Sequence, residues 1–174
     1  PPDPYFGSDQ PKHSKYLNNT FSRFIDNYAS SAAGAIYVLN SDIISLSQCW
    51  ITENHVKITY GGGIAVKSSK RLHIKGSYFI RNKCASGGGG AVNTFNIETL
   101  IIESSEFSRN IASEGGALYI ERFNMCSSKV HFVNSTFSSN YAKQSAGALA
   151  MVQISLFSQE NCLFRKNTAS KIIG

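Results

Sequence analysis

The hydrophobic pattern of this chain repeats with a period of about 28 residues, a length typical of repeat proteins. In most repeats two large apolar residues, two positions apart, precede a single aromatic or aliphatic residue that stands three positions before an asparagine. Because residues two apart in a strand share a face, the apolar pairs are predicted to be the inward side chains of short strands. The pairs are Ile44 and Leu46, Leu72 and Ile74, Leu100 and Ile102, and Val130 and Phe132.

The asparagines form a regular column. They recur once in every repeat at nearly constant intervals, and a fixed period of this kind is the signature of a solenoid in which each repeat adds one coil. The asparagine column is Asn27, Asn54, Asn82, Asn110, Asn140 and Asn167. The large apolar column, called here the Phe column, is Phe24, Ile51, Phe79, Phe107, Phe137 and Phe164.

Small residues form further columns. Ser or Cys stands two residues before the Phe column in every repeat, and a glycine follows each of the first five asparagines by six to eight residues. A glycine at such a place allows either a turn with positive φ or a close approach between coils. The glycine column is Gly34, Gly62, Gly90, Gly116 and Gly147.

Two solenoid classes have periods of this length, the leucine-rich repeat and the parallel β-helix. A leucine-rich repeat requires leucine where this chain has Ser or Cys, and its return segment is often helical, whereas the return segments here show no helical period. All four prolines precede the first coil, as a continuous hydrogen-bonded ladder demands. The prediction is an all-β, right-handed parallel β-helix of about six coils, with three short strands per coil.

The domain prediction follows from the repeats. Residues 1–20 are assigned to an N-terminal extension or cap, and residues 21–174 to the β-helix repeat domain. Gly174 stands where the next glycine of the column is due, so the repeat domain is expected to continue beyond it.

Stacking gives the asparagine and Phe columns a structural role. Coils are about 4.8 Å apart, so an inward asparagine can donate its amide to the asparagine of the next coil, and rings in the Phe column can stack. Both columns recur in every coil, and neither marks one coil as a special site. This favours a structural role for these residues over a role in ligand binding.

The paired motifs resemble those of a known family, the polymorphic outer membrane protein repeat of chlamydiae, which also occurs in large extracellular proteins of eukaryotes. The motifs are Gly-Gly-Ala followed by Ile, Leu or Val, and Phe-x-x-Asn. Residues 79–82, 89–92, 107–110 and 116–118 fit them, and the resemblance covers residues 21–174. The departures are Ile51 for Phe, Gly63 for Ala, and Ala33 and Ala146 for the first Gly. The resemblance implies a surface-exposed β-helix associated with adhesion and supplies no enzymatic site.

Charge and hydrophobicity argue against a nucleic-acid partner and against a membrane-spanning segment. Only 16% of residues are charged, and although the net charge is +6, Lys and Arg are scattered along the coils, which argues against a nucleic-acid partner. No stretch is long and apolar enough to span a bilayer directly.

Many β-helices cleave polysaccharides with carboxylates clustered on adjacent coils. Of the four aspartates, only Asp26 and Asp42 lie within the coils. Glu53 is expected to pair with Arg81 in an outward row. No acid pair with a general base emerges, so the chain is predicted to be no enzyme and to need no cofactor. The alternatives are a carbohydrate-active lyase or hydrolase, or a glycan-binding module that uses the outward aromatic residues Tyr37, Trp50, Tyr78 and Tyr119.

Histidine and cysteine point to no metal site or disulfide framework. His73 and His131 share an outward row but lie two coils apart. Cys49 and Cys162 share an inward column four coils apart, too far to bond, and are predicted to be free thiols. Cys84 and Cys126 can pair only if their two corners meet.

Three features remain as candidates for contact or modification. Asn18 and Asn134 begin N-glycosylation sequons. The segment 121–129 is four residues longer than its counterparts, and its residues Arg122, Phe123 and Met125 are a candidate partner loop.

The sequence therefore predicts a non-catalytic extracellular β-solenoid with a structural or adhesive role, as a glycoprotein of the cell surface or a component of a fibre or appendage. The expected partners are other coils or subunits of a similar protein, and a protein or glycan of a host or cell surface.

Overall fold

The computed structural model describes residues 14–123 and 128–170, which form a parallel β-solenoid of three sheets. All pairings between its strands are parallel and join neighbouring coils, and the described residues contain no helix. This confirms the predicted all-β parallel architecture. The stack makes about five turns, and each of the two smaller sheets has six strands.

The strands are numbered β1 to β21 in chain order. Sheet 1 consists of β1 (Ser14–Thr20), β4 (Ile36–Leu39), β5 (Ser41–Ser47), β8 (Ile64–Lys75), β11 (Val92–Glu103), β14 (Leu118–Glu121), β15 (Lys129–Val133), β18 (Leu149–Val152) and β19 (Leu156–Glu160). Sheet 2 consists of β2 (Arg23–Ile25), β6 (Trp50–Thr52), β9 (Tyr78–Ile80), β12 (Glu106–Ser108), β16 (Thr136–Ser138) and β20 (Leu163–Arg165). Sheet 3 consists of β3 (Tyr28–Ala29), β7 (His55–Val56), β10 (Lys83–Cys84), β13 (Ile111–Glu114), β17 (Tyr141–Ser145) and β21 (Thr168–Ala169).

Sheet 1 is wider than the prediction of three short strands per coil. The apolar pair that follows the glycine and the pair that precedes the Phe column lie in the same sheet, and in β8 and β11 they form one strand of 12 residues. A residue with positive φ bends the chain between the two pairs, at Asn40, Ser68, Asn96 and Gln153. Because of this bend, sheet 1 contributes two rows of inward-facing apolar side chains to the core.

The solenoid begins before the predicted boundary at residue 21. Strand β1 pairs with β5, and Leu17 lies in register with Ile44 and packs against the core. Residues 14–20 are therefore part of the coil stack, while residues 1–13 of the predicted extension lie outside the described residues, as does Gly174.

The asparagine column forms a continuous ladder inside the corner between sheets 2 and 3. Asn82 Oδ1 accepts hydrogen bonds from the backbone N–H and the side-chain Nδ2 of Asn54, at 3.1 and 3.0 Å. Asn82 Nδ2 donates to Ile51 O at 2.7 Å and to Asn110 Oδ1 at 3.1 Å. The same pattern extends from Asn27 to Asn167, and the four central asparagines are completely buried.

The Phe column packs beside this ladder. The rings of Phe79, Phe107, Phe137 and Phe164 stack nearly parallel, with centroids 4.6–4.9 Å apart. Ile51 precedes this stack in the second coil and is also fully buried.

A second ladder runs along the column of Ser and Cys, which the sequence analysis described only as small. The backbone N–H of Cys49 donates to Ser77 Oγ, that of Ser77 to Ser105 Oγ, and that of Ser105 to Ser135 Oγ, at 3.1–3.2 Å. These hydroxyls also donate to carbonyls two residues earlier, as Ser77 does to Lys75 O at 2.9 Å. The column thus satisfies backbone groups at the corner between sheets 1 and 2.

Single residues in the left-handed conformation make these two corners. The residue before each asparagine has a φ between 53° and 59°, at Asp26, Glu53, Arg81, Arg109, Ser139 and Lys166. In the corner before the Ser and Cys column, a residue with positive φ likewise makes the turn in each coil, at Phe21, Gln48, Gly76, Ser104, Asn134 and Asn161. Each such non-glycine residue costs about 1 kcal/mol or more. The hydrogen-bond ladder continues across both corners and offsets that cost.

The glycine column permits the coils to approach closely. A Cβ on Gly62 would lie 2.2 Å from Gly90 O, and one on Gly90 would lie 2.2 Å from Gly116 O. The positive φ belongs instead to the preceding position, at Gly61, Gly89, Gly115 and Ala146. The glycine of the column is therefore required by contact with the next coil.

The described cysteines are free thiols. Cys49 and Cys84 are buried, and burial raises the pKa of the Cys84 thiol. Cys162 is only half-buried because it lies in the last described coil. Cys126 lies outside the described residues.

The asparagine ladder predicts a large loss of stability when one member is removed. In Asn82→Ala the N–H and Nδ2 of Asn54 lose their acceptor and Ile51 O loses its donor, all in a buried corner. We expect a loss of about 3–5 kcal/mol in urea unfolding. The control Asn18→Ala removes an exposed asparagine and is expected to change stability by about 0.5 kcal/mol or less. Equal effects of the two changes would contradict the ladder's role.

Substitutions at two glycines distinguish the cost of a steric contact from the cost of backbone strain. Gly90→Ala places a Cβ against backbone atoms of the next coil and is expected to destabilise the chain by about 3 kcal/mol or more. Gly76 has a φ of 54°, but a Cβ there meets only the flexible Gln48 side chain, so Gly76→Ala should cost about 1–2 kcal/mol. Thermal and urea unfolding of both variants tests this order, and a reversed order would refute the steric explanation.

Candidate functional site

The regular columns leave little for a partner to touch. In the central coils the asparagine and Phe columns are completely buried. Among the described residues, the members that are partly or fully exposed are Phe24 and Asn27 in the first coil and Phe164 and Asn167 in the last. Any contact with another molecule must therefore use outward side chains or the corners.

Within the described residues, three outward carboxylates pair with basic side chains of a neighbouring coil. Glu53 Oε1 accepts from Arg81, as the sequence predicted. Asp42 lies 3.0 Å from Lys70 Nζ, and hydrogen bonding to Asp42 raises the pKa of Lys70. Glu103 lies 3.5 Å from Lys75 Nζ. Such exposed pairs contribute little stability, and they spread the acidic groups along the solenoid.

The histidines are also dispersed. Ile101 pairs in register with His73 on one side and His131 on the other, which places the two histidines two coils apart. Desolvation, assisted by Lys83, lowers the pKa of His55. Within residues 14–123 and 128–170, no group of three or more His, Cys, Asp or Glu side chains is placed to hold a metal ion.

Both sequon asparagines are exposed. Asn18 lies on β1, and Asn134 has a φ of 48° at the corner between sheets 1 and 2. Ser135, within the second sequon, is buried and donates to Val133 O at 2.8 Å. The Asn134 side chain is therefore presented outward from a well-anchored corner.

The long corner at residues 121–129 begins with an anchor. Arg122 is buried and its Nη1 donates to Ile97 O at 2.7 Å, so it holds the corner against the coil below. Phe123 is exposed, with its ring centroid 4.9 Å from that of Phe95, and its N–H donates to Asn96 Oδ1. Met125 lies outside the described residues. Of the three predicted loop contacts, only Phe123 is described as accessible to a partner.

A groove lies on the outward side of sheet 1. Tyr37, Ala65, Asn93 and Tyr119 form one outward row, and Lys67, Phe95 and Glu121 belong to the next. The small Ala65 leaves a depression beside Tyr37, bounded by the loop that carries Ile58, Thr59 and Tyr60. This depression, called here the sheet 1 groove, has a volume of about 750 Å³. Its lining residues are Ser31, Ala32, Tyr37, Ile58, Thr59, Tyr60, Ala65, Val66, Lys67, Asn93 and Phe95.

The loop at the groove is held in a strained conformation. Thr59 has a φ of 83°, a rare value for a β-branched residue. Its Oγ1 accepts from the N–H of Ala32 at 2.9 Å, and its carbonyl accepts from Cys84 Sγ at 3.3 Å. Gly87 lies so close that a Cβ there would be 1.3 Å from Thr59 O. These contacts fix the loop that presents Tyr60.

A smaller depression of about 230 Å³ adjoins the sheet 1 groove and shares Tyr60 with it. It is lined by Tyr119, Glu114, Glu121 and Gln144, among others. Burial first, then Glu121 and Glu114, raises the pKa of Tyr119 to about 12. The Tyr119 ring lies directly over Gly88, where a Cβ would be 2.5 Å from the ring.

The exposed aromatic pair of sheet 2 is arranged differently. The rings of Trp50 and Tyr78 stack with centroids 4.4 Å apart and planes 24° from parallel. Each ring therefore covers one face of the other.

Sequence reasoning identified Tyr37 and Tyr119 as outward but did not find the groove. Its floor depends on the alignment of Ala65 with Tyr37 and Asn93 across three coils, and its wall depends on the conformation of Thr59. The sequence contained one signal for the groove, because the small residue Ala65 stands between larger residues in the same outward row.

Comparison with known proteins gives one match. A family model described as a right-handed beta helix region matches residues 16–173. No curated protein and no solved structure matches the chain. Within the described residues, no helix is long and apolar enough to cross a membrane.

Proposed function

The chain belongs to the right-handed β-helix family, and from that premise we propose that it is a non-catalytic, extracellular β-solenoid with a structural and adhesive role. It acts at a cell surface or within a fibre, and its partner contact is the sheet 1 groove. The family includes both enzymes and non-enzymes. The proposal therefore rests on this chain's own side chains.

The observation that carries the proposal is the chemistry of the groove lining. It contains the aromatic rings of Tyr37, Tyr60 and Phe95, the amide of Asn93 and the ammonium of Lys67, but the described lining residues include no carboxylate and no histidine. Glycoside hydrolysis ordinarily needs two carboxyl groups on either side of the scissile bond. Rings with a few polar groups suit binding without chemistry.

The strongest place for a catalytic alternative is the adjoining depression with Glu114 and Glu121. Both glutamates lie beside Tyr119, whose pKa of about 12 makes its phenol a poor proton donor or acceptor near neutral pH. This arrangement supports a role in holding the Tyr119 ring over Gly88 more than a role in proton transfer.

An extracellular location is supported by three features. The two sequons have exposed asparagines at Asn18 and Asn134. Charged residues make up only 16% of the chain, and its coil motifs resemble those of surface-exposed repeats. An extended stack with a repeated surface also suits multivalent contact.

The non-catalytic part of the proposal is tested by incubation with neutral and acidic polysaccharides. We expect no new reducing ends and no unsaturated products from the wild-type chain. A double variant, Glu114→Gln with Glu121→Gln, serves as the matched control. Cleavage by the wild type that this variant lacks would identify an enzyme and overturn the proposal.

The adhesive part is tested with beads coated with the chain. Retention on surfaces bearing cell-surface glycans or intact cells should exceed that of beads coated with an unrelated protein of similar net charge. Antibodies against the chain should also label intact cells of the source organism. Retention equal to the control, or labelling only after permeabilisation, would contradict the proposal.

A further inference from the structure

The outward face of sheet 2 carries a cluster of exposed apolar side chains. Ile25 is 51% exposed, Trp50 42% and Tyr78 37%, although the last two rings stack on each other. They lie on the neighbouring strands β2, β6 and β9, and Ile80 on β9 is partly exposed beside them. These four residues are called here the sheet 2 patch. Apolar surface of this kind, with polar groups around it, is typical of an interface with another protein.

Opposite charges stand at the two ends of the patch along the solenoid axis. Coils are numbered here from the one that holds Asn27. Coils 1 to 4 contribute one outward row to sheet 2, which reads Arg23, Trp50, Tyr78 and Glu106. The two charged residues are three coils, or about 14 Å, apart. Within residues 14–123 and 128–170 neither of them forms an ion pair.

The corner between sheets 2 and 3 repeats this order with more charges. In coils 1 to 4 its outward residues are Asp26, Glu53, Arg81 and Arg109, and all four are exposed. The middle two pair with each other inside the chain, whereas Asp26 and Arg109 have no ion pair with any described residue. Two acids are thus followed by two bases. In this row, as in the first, positions equally far from the midpoint between coils 2 and 3 carry opposite charges.

A surface with this symmetry is complementary to itself. A two-fold axis parallel to the strands, placed between coils 2 and 3, brings coil 1 of one copy opposite coil 4 of another. Arg23 then faces Glu106 of the second copy, and Asp26 faces Arg109 of the second copy. The two aromatic residues of the first row face each other across the axis. Each charge pair occurs twice, because a two-fold interface uses every contact twice.

The alternative face-to-face arrangement does not use the charges. A two-fold axis along the solenoid places each coil opposite the same coil, so Arg23 and Glu106 stay three coils apart. The order of charges therefore selects the arrangement with antiparallel solenoid axes, since unpaired charges at an interface lose their water without gaining a partner.

The centre of the face is free of charge. The second outward row of sheet 2 reads Ile25, Thr52, Ile80 and Ser108 in coils 1 to 4. Under the same axis Ile25 lies opposite the small Ser108, and Thr52 lies opposite Ile80. Apolar and small hydroxyl side chains thus fill the middle, and the charges lie at the rim, which is the usual distribution in protein interfaces.

From these features we infer that two copies of the chain associate through the outward faces of their second sheets, with solenoid axes antiparallel and with the sheet 2 patch at the centre. The overlap of four coils is only about 19 Å long, which places the contact among small interfaces. Association of a single pair is therefore weak, and many copies on one surface or fibre strengthen it through multivalency. The inference goes beyond the proposed function and concerns a different face from the sheet 1 groove.

The test is sedimentation equilibrium of the whole chain over a series of concentrations. We expect a monomer–dimer equilibrium with a dissociation constant of roughly 10–100 μM, which rises with salt because the rim pairs are exposed. Trp50→Thr keeps a residue that suits a strand and removes the central ring. It should weaken the dimer at least about tenfold.

A charge swap tests the orientation of the two copies. Arg23→Glu alone, or Glu106→Arg alone, places like charges opposite each other at two symmetry-related positions, and each should weaken the dimer roughly tenfold or more. The double variant Arg23→Glu with Glu106→Arg restores opposite charges and should return the dissociation constant to within about threefold of the wild type. Only the antiparallel arrangement brings these two positions together.

Matched controls lie on the other sheets. Arg71→Glu makes the same charge reversal on the outward side of sheet 1, and Tyr141→Thr removes an exposed aromatic residue from sheet 3. Both should leave the dissociation constant unchanged. All variants should unfold near the wild-type temperature, because each altered side chain lies outward. The charge variants decide the question even if Trp50→Thr fails to fold.

A chain that stays monomeric up to about 1 mM would overturn the inference. So would a dimer that the single charge variants leave unchanged, or a double variant that associates as weakly as they do. If the chain stays monomeric while beads coated with it adhere, the inference fails and the adhesive function stands. If the dimer responds as expected while the beads do not adhere, or while the chain cleaves a polysaccharide, the proposed function fails and the inference stands.

Discussion

The buried asparagine ladder is the interaction on which the rest of the structure depends. A corner that turns inside a dry core leaves backbone N–H and C=O groups without water, and each unpaired group is costly. An asparagine side chain has both a donor and an acceptor. One residue per coil therefore accepts from the asparagine of the preceding coil, donates to a carbonyl of that coil, and donates to the asparagine of the following coil. Removing one asparagine would leave polar groups unpaired in a neighbouring coil as well as its own, as the contacts of Asn82 with Asn54 and Ile51 show.

The corners and the glycine column follow from the same demand for close stacking. Left-handed residues such as Glu53 and Arg81 turn the chain within a single residue, and the ladder across the coils compensates for their strain. The glycines let neighbouring backbones meet where any Cβ would collide. Because these repeated contacts occupy the interior, side chains that differ from one coil to the next are confined to outward positions. There a single alanine, Ala65, among larger neighbours is sufficient to open a groove.

The sequence allowed the interior to be predicted far better than the surface. The Asn and Phe columns have a fixed period and one physical role, so their alignment could be predicted without coordinates. The hydroxyl ladder of Ser77 and Ser105 was missed because Ser appears merely small in a sequence. The first strand was missed because β1 precedes the first Phe-x-x-Asn motif, although Leu17 stands one full repeat before Ile44. The groove depends on loop conformation at Thr59, which no local pattern specifies.

Native-state hydrogen exchange at the backbone amides of Asn54, Asn82 and Asn110 tests the central role of the ladder most directly. If the ladder holds the coils together, these amides exchange only through global unfolding, with protection equal to the full free energy of unfolding. Exchange at the rate of exposed loop amides such as that of Ser86, while the strands of sheet 1 stay protected, would contradict this account.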